Sequence, residues 1–363
     1  MSVLTPGLPG PRGASSQHLF DVLRRDARDV DTNELDELVA AASAPAPAIV
    51  DDEDRLIMLW VLQELGYHGF QDVDDRWEVD HRAVWLRVTL EDALESALRP
   101  IIDPVVERTL TEGRTDLAET LFSLPEREFA DTPSLAAYAR RKMSIEQWRE
   151  MLVLKSAYQL KEGDPHTFAV PRLSAEAKLA MVEIQFDEYG SGRLADLHSE
   201  LFARAMVTVG LRDDFGAYAD CWPAPVLAAN VALNWWSSRR EWAGAVAGHL
   251  AMIETTSSLP CRKYVAGAQR LGLPEDGWRY FDEHVEADAA HEQIAIRQMC
   301  PAAAEADGPG KVIFGFVAGL YLDGRIAEYA LQRWESGESA LRHPLSESAD
   351  DPTGDPELEP AYR

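Results

Sequence analysis

The chain has 363 residues, 46% of them hydrophobic, enough to bury a large core in one big domain or two modest ones. Its 62 acidic against 35 basic residues give a formal net charge of -27, a field that repels nucleic acid and anionic lipid, so neither is an expected partner. No apolar run approaches the roughly 20 residues of a membrane span. The N-terminus MSVLTPGLPGPRGASS has no signal-peptide core, and Cys221, Cys261 and Cys300 form neither a Cys-x-x-Cys pair nor a dense framework. The expectation is a cytoplasmic protein without disulfides or zinc-thiolate sites.

Residues 1–15 are rich in Pro, Gly and Ser, and the end 337–363 is acidic and Pro-rich; both read as mobile, disordered tails. Between them strand signals are scarce and apolar residues recur at helical spacing. Residues 16–132 read as a helical N-terminal extension or small domain. Its segments are QHLFDVLRRDARD, DTNELDELVAAAS, DRLIMLWVLQELG and the long RAVWLRVTLEDALESALRPIID, with breaks at APAPAIVDD and SLPEREFADTP. Residues 133–336 follow as a bundle of about seven helices, starting at SLAAYARRKMSIEQWREMLVLKSAYQL. It continues through SAEAKLAMVEIQFDEYG, RLADLHSELFARAMVTVG, APVLAANVALNWWSS, RREWAGAVAGHLAMIETTSS and LPCRKYVAGAQRLG. A helix from Glu275 to about Cys300 and KVIFGFVAGLYLDGRIAEYALQRW complete it. The predicted fold class is all-α.

The segment YFDEHVEADAAHE places His284, Asp288 and His291 at i, i+4 and i+7, so two imidazoles and a carboxylate share one helix face. Such a set suits a metal ion, and one helix cannot complete the coordination. Glu254 follows Ala251, Leu250 and Ala247 on its own face, and a carboxylate on so apolar a face is costly unless charged partners or a cation meet it. Glu188, below Ile184 and Met181, and His198, beside Leu194, Leu201 and Phe202, both point inward. Glu183 and Asp187 form a separate line facing solvent or supporting the site, and Glu292 is another candidate support. For each residue there is a plainer role: a satisfied core histidine for His198, an ion pair with Arg or Lys for Glu254. Trp235, Trp236, Tyr280 and Phe281 are candidates for lining a cavity, with core packing as the commoner role. Arg262 and Lys263 could meet a substrate carboxylate, although surface ion pairing is their ordinary use.

With these residues the chain resembles the haem-oxygenase-like di-iron oxidases and oxygenases, a family of iron-containing redox enzymes. The resemblance covers about residues 145–300. It implies a haem-oxygenase-like seven-helix bundle without haem, whose ligands come from three core helices as a Glu and a His, a lone Glu, and His-x3-Asp-x2-His. Here they fall on Glu188 and His198, on Glu254, and on His284, Asp288 and His291. Two departures stand out. Glu188 and His198 are further apart than the Glu-x6-His of several relatives, which leaves Asp187 and Glu183 as substitutes for Glu188. No acid lies between Leu201 and Arg212, where some N-oxygenating relatives carry an extra ligand, which counts against N-oxygenation. The resemblance implies two Fe(II) ions per chain, with Mn as the alternative, O2 as co-substrate, and a small-molecule substrate of the amine, amino acid or fatty-acid class in specialised metabolism. An external electron donor and a homodimer are compatible with it.

Three other readings stand beside this one. A metal-dependent hydrolase of the helical phosphohydrolase type would use an adjacent His-Asp pair, and no His here is followed directly by Asp. Ferritin-like bundles need two Glu-x-x-His motifs, and only Glu78 and His81 have that spacing. A non-catalytic helical binding protein would hold its buried polar residues without iron.

Overall fold

The computed structural model of the protein describes residues 5–31, 33–45, 48–112 and 116–345, and the side chains of these apart from residues 286–289. Every regular element among them is helical. The first half contributes α1 (Ala14–Leu23), α2 (Asp36–Ala42), α3 (Glu53–Glu64), α4 (His81–Thr111) and α5 (Leu117–Phe129). Several starts are fixed by side chains that accept from the otherwise unpaired first-turn amides: Asp52 from Arg55, Asp80 from Arg82, and Asp116 from Ala118 and Glu119. The segment SLPEREFADTP, expected as a break, mostly belongs to α5, which runs through Pro125.

The second half contributes α6 (Leu135–Arg141), α7 (Ile145–Gln159), the short α8 (Asp164–Thr167), α9 (Ala175–Glu188), α10 (His198–Val207) and α11 (Ala224–Ser238). Then follow α12 (Ala243–Arg270), α13 (Arg279–Ile294), α14 (Cys300–Asp307) and α15 (Pro309–Glu335). A Ser144–Gln147 capping box opens α7. The two segments expected around Leu259 are one helix, α12, which passes through Pro260. The helix expected from Glu275 to Cys300 is divided, with a 3-10 turn at Glu275–Gly277, then α13, then a π-helical stretch at Ala295–Met299. At the centre α12 crosses α15 backbone to backbone. A Cβ on Gly248 would lie 1.9 Å from the Val312 carbonyl oxygen, and one on Gly315 1.9 Å from that of Ala245.

The boundary expected near residue 132 does not appear as a break in the core. Residues Leu56 to Leu62 of α3 are all buried, so this helix is apolar all round and lies inside the molecule, packed between α1, α4 and α11. One continuous apolar cluster runs from Leu19 to Leu341. The tails are also shorter than their composition suggested. Leu8 N donates to Asp72 at 3.1 Å, and the Arg12 guanidinium donates to the carbonyls of Trp222 and Ala219 at 2.7 Å each. At the other end Ala340 and Leu341 are buried and Arg342 N donates to the Cys221 carbonyl. Polar segments count as ordered here because their backbone groups have partners in the folded body, which composition cannot reveal. Residues 1–4 and 346–363 lie outside the described ones. No helix among the described residues is long and apolar enough to cross a membrane.

Candidate metal centre

Five elements converge on one buried cluster. α9 ends at Glu188, and the chain then turns through Gly190, Ser191 and Gly192, all at positive φ. A Cβ on Gly190 would lie 2.4 Å from the Leu197 amide nitrogen, so this turn folds flat against the start of α10. His198 thereby becomes the first residue of α10 and sits against the end of α9, with its Nδ1 3.0 Å from Glu188 Oε2. The wide Glu188–His198 spacing is therefore the length of a return turn, and Glu188, 5% exposed, is the buried acid. Of its two substitutes, Glu183 is exposed and Asp187 has a different partner.

α13 supplies His284 and His291. His284 Nδ1 donates to the Tyr280 carbonyl at 2.7 Å, which turns Nε2 toward Glu162 Oε1 at 3.7 Å. His291 Nε2 meets Asp187 Oδ2 at 3.1 Å, turning Nδ1 toward Glu254 Oε2 at 3.5 Å. Imidazoles that ligate metals are held in this way, one nitrogen anchored on an oxygen and the other presented inward. Glu254, on α12, and His291 are each 2% exposed. The side chain of Asp288 lies outside the described residues.

Sequence reasoning missed Glu162. It follows α7 in the polar turn Lys161-Glu162-Gly163-Asp164, which reads as a solvated connection, yet it is 5% exposed. Its one signal is the helical line running from Met151 through Tyr158, four residues before it. The turn is held from both sides. Tyr280 OH donates to Glu162 Oε2 at 2.7 Å, and the adjacent buried Lys161 pairs with Glu64 of α3.

Ligand-capable atoms of Glu162, Glu188, His198 and His284 lie within 4.8 Å of one another, and so do those of Glu188, Glu254 and His291. Glu188 belongs to both groups. Burial works to raise its carboxyl pKa, but His198, His284 and His291 outweigh burial and hold it down at about 2. His291 is lowered by burial and raised more strongly by Glu254 and Asp187, to about 9. His198 is likewise raised by Glu188 against its burial. Without a cation, imidazole protons balance these buried carboxylates, and a divalent ion would do so directly. Three imidazoles with at least three carboxylates suit first-row metals of mixed N and O preference, so the residues fit iron.

The space between these groups is about 10 Å³, room for roughly one water. Tyr158, His166 and Gln185 complete its wall with Leu250 and Ile253. Of the aromatic candidates, Tyr280 touches the site through Glu162, whereas Phe281 packs on Trp148 and Tyr264. Trp235 and Trp236 lie outside the wall, and Arg262 is exposed.

Residues 149–324 match the sequence profile of a family described as iron-containing redox enzymes. The match covers just under half of the chain. All six described acids and histidines of the cluster fall within the matched segment. A curated relative, the nitrosourea synthase of Streptomyces achromogenes subsp. streptozoticus, is 26% identical over 172 residues, covering 47% of this chain and 36% of the relative. The chain thus spans about a third of the length of the curated relative it matches. The description of that family as iron-containing redox enzymes agrees with the buried Glu and His cluster in this all-α chain.

Proposed function

We propose that the protein is a non-haem di-iron oxygenase that uses O2 to oxidise a nitrogen-bearing small molecule in specialised metabolism. The observation that carries this reading is Glu188, shared by two buried donor groups, so that this one residue would help hold both ions. One ion would be held by Glu162, His198 and His284, the other by Glu254 and His291 with Asp288 from the same helix face. When bound, ferrous iron supplies the electrons that activate O2, chemistry no side chain provides.

The chain's own residues do the rest. Asp187 and the Tyr280 carbonyl fix the two α13 imidazoles in ligating tautomers, and the Tyr280 hydroxyl holds one oxygen of Glu162. Leu250 and Ile253 exclude bulk water from the chamber. The choice of nitrogen oxidation over the wider amine, amino acid and fatty-acid range is supported by Glu162. The additional acid absent between Leu201 and Arg212 is offered from the turn after α7 instead, and the relative named for nitrosourea synthesis points the same way.

Anaerobic loading with Fe(II), metal analysis and an oxygen electrode test the reading. Iron at about two per chain is expected, with O2 uptake accelerated by amines or amino acids. Hydrolysis independent of O2, with no ferrous oxidation, would sink it in favour of a metal-dependent hydrolase.

A further inference from the structure

An unbroken row of rings leads away from the chamber. Tyr158 and His166 both line it, and Tyr158 OH lies 3.3 Å from His166 Nδ1. His166 Nε2 meets His249 Nδ1 at 3.0 Å, the two ring planes inclined by 27° with centroids 5.2 Å apart. His249 packs on Trp236 at 5.7 Å, Trp236 on Trp235 at 5.9 Å, and Trp235 on Trp242 at 4.7 Å. Trp242 lines a surface groove of about 450 Å³ with Phe314, beneath the side chains of Arg99 and Lys311.

Packing alone accounts poorly for this row. His166 is wholly buried, and two imidazoles in an apolar helix crossing are costly where Leu or Phe would fill the space. Their bonds also run in one direction. If the Tyr158 hydroxyl donates to His166 Nδ1, then His166 Nε2–H donates to His249 Nδ1, and each ring is neutral, the form their burial favours. The indole Nε1 atoms of Trp235, Trp236 and Trp242 are buried without a hydrogen-bond partner among the described residues, so these side chains serve as rings, not as donors.

We propose that Tyr158, the His166–His249 pair, Trp236, Trp235 and Trp242 form a charge-transfer chain that carries single electrons from a reductant in the Trp242 groove to the Glu188-centred site. The proposal rests on the reading of that site as a redox metal centre. The oxidised centre takes one electron from Tyr158, whose O–H bond breaks as its proton passes to His166 Nδ1. Trp236 then returns an electron across the histidine pair, and the proton goes back to the phenolate oxygen. The electron vacancy moves through Trp235 to Trp242, where the one-electron reductant fills it. One electron enters at the surface, one reaches the centre, and every ring ends as it began. Five carboxylates around the groove, Glu95, Asp103, Glu107, Glu241 and Asp307, against Arg99 and Lys311, favour a cationic reductant.

The chain is tested first without metal. In pulse radiolysis, azide radicals oxidise tryptophans of the metal-free protein, and the decay of indolyl absorbance is followed against the growth of phenoxyl absorbance. An intramolecular phase is expected that Tyr158→Phe removes, that Trp236→Phe slows by about tenfold or more, and that Trp85→Phe, exposed and off the row, leaves unchanged. Should Trp236→Phe fail to fold, uniform fluorotryptophan labelling keeps ring shape while shifting indole potential, and the same slowing is expected. A phase unchanged in rate and amplitude by Tyr158→Phe would overturn the proposal. The second arm reduces the ferric-loaded protein anaerobically with hexaammineruthenium(II), and Trp242→Phe is expected to slow that reduction; equal rates refute the surface entry point. A protein that takes up no iron defeats the metal reading alone, because the radiolysis arm still decides the chain.

Discussion

Glu188 is the residue on which both donor groups depend, and that sharing gives its removal a distinct signature. Glu188→Ala should abolish iron uptake, whereas Glu254→Ala leaves the Glu162, Glu188, His198 and His284 group intact and should retain about half the wild-type iron. Metal analysis after anaerobic loading checks this, and equal iron in the two variants would contradict a shared carboxylate. His291 makes a second prediction. Its folded pKa is raised to about 9 by Glu254 and Asp187 against its burial. In the metal-free protein its proton therefore contributes stability that is fully present below about pH 6.5, the unfolded value, and is lost as the pH rises through about 9. Urea unfolding across that range should show the loss without metal. With iron bound the ion takes the proton's place, and the loss should be much smaller.

At the scale of elements, the turn between α9 and α10 decides whether Glu188 and His198 meet. Gly190→Ala puts a Cβ at positive φ and against the Leu197 amide, so it should cost about 2 kcal/mol or more in denaturant unfolding. The iron content of the folded fraction should fall with it. Full iron loading in a stable Gly190→Ala protein would show that the turn does not set the ligand geometry. Much of this level was readable from the sequence. The inward faces of α9, α10 and α12 follow from helical spacing, as does the shared face of His284 and His291. The return turn was readable only as two glycines, because its function lies in a backbone approach that side-chain periodicity does not encode. The π-helical stretch after α13 has no counterpart in the apolar pattern at all.

Across the whole molecule, the N-terminal helices belong to the same core as the metal-site helices. Lys161 and Glu64 form a fully buried ion pair between the turn holding Glu162 and the end of α3, and Asn234 donates to the same carboxylate. Removing one partner leaves a buried charge uncompensated. Glu64→Ala should therefore destabilise the protein by about 3 kcal/mol or more and weaken iron binding through Glu162. Unfolding of the wild type, followed by tryptophan fluorescence and by helical circular dichroism, should give one coincident transition. A separate early transition for residues before 132 would mark them as a small domain of their own.

The sequence by itself determined the helical class, the spacing that puts His284 and His291 on one helix face, and the inward placement of Glu188, His198 and Glu254. Each of these depends on neighbours within two turns of the same helix. Tertiary structure alone decided that Glu162 joins the site, that α3 lies inside the common core, and that Tyr158, His166, His249 and the tryptophans align into one row. Those arrangements depend on contacts between segments far apart in the chain, where polarity along the sequence says nothing about what a turn or a ring will meet.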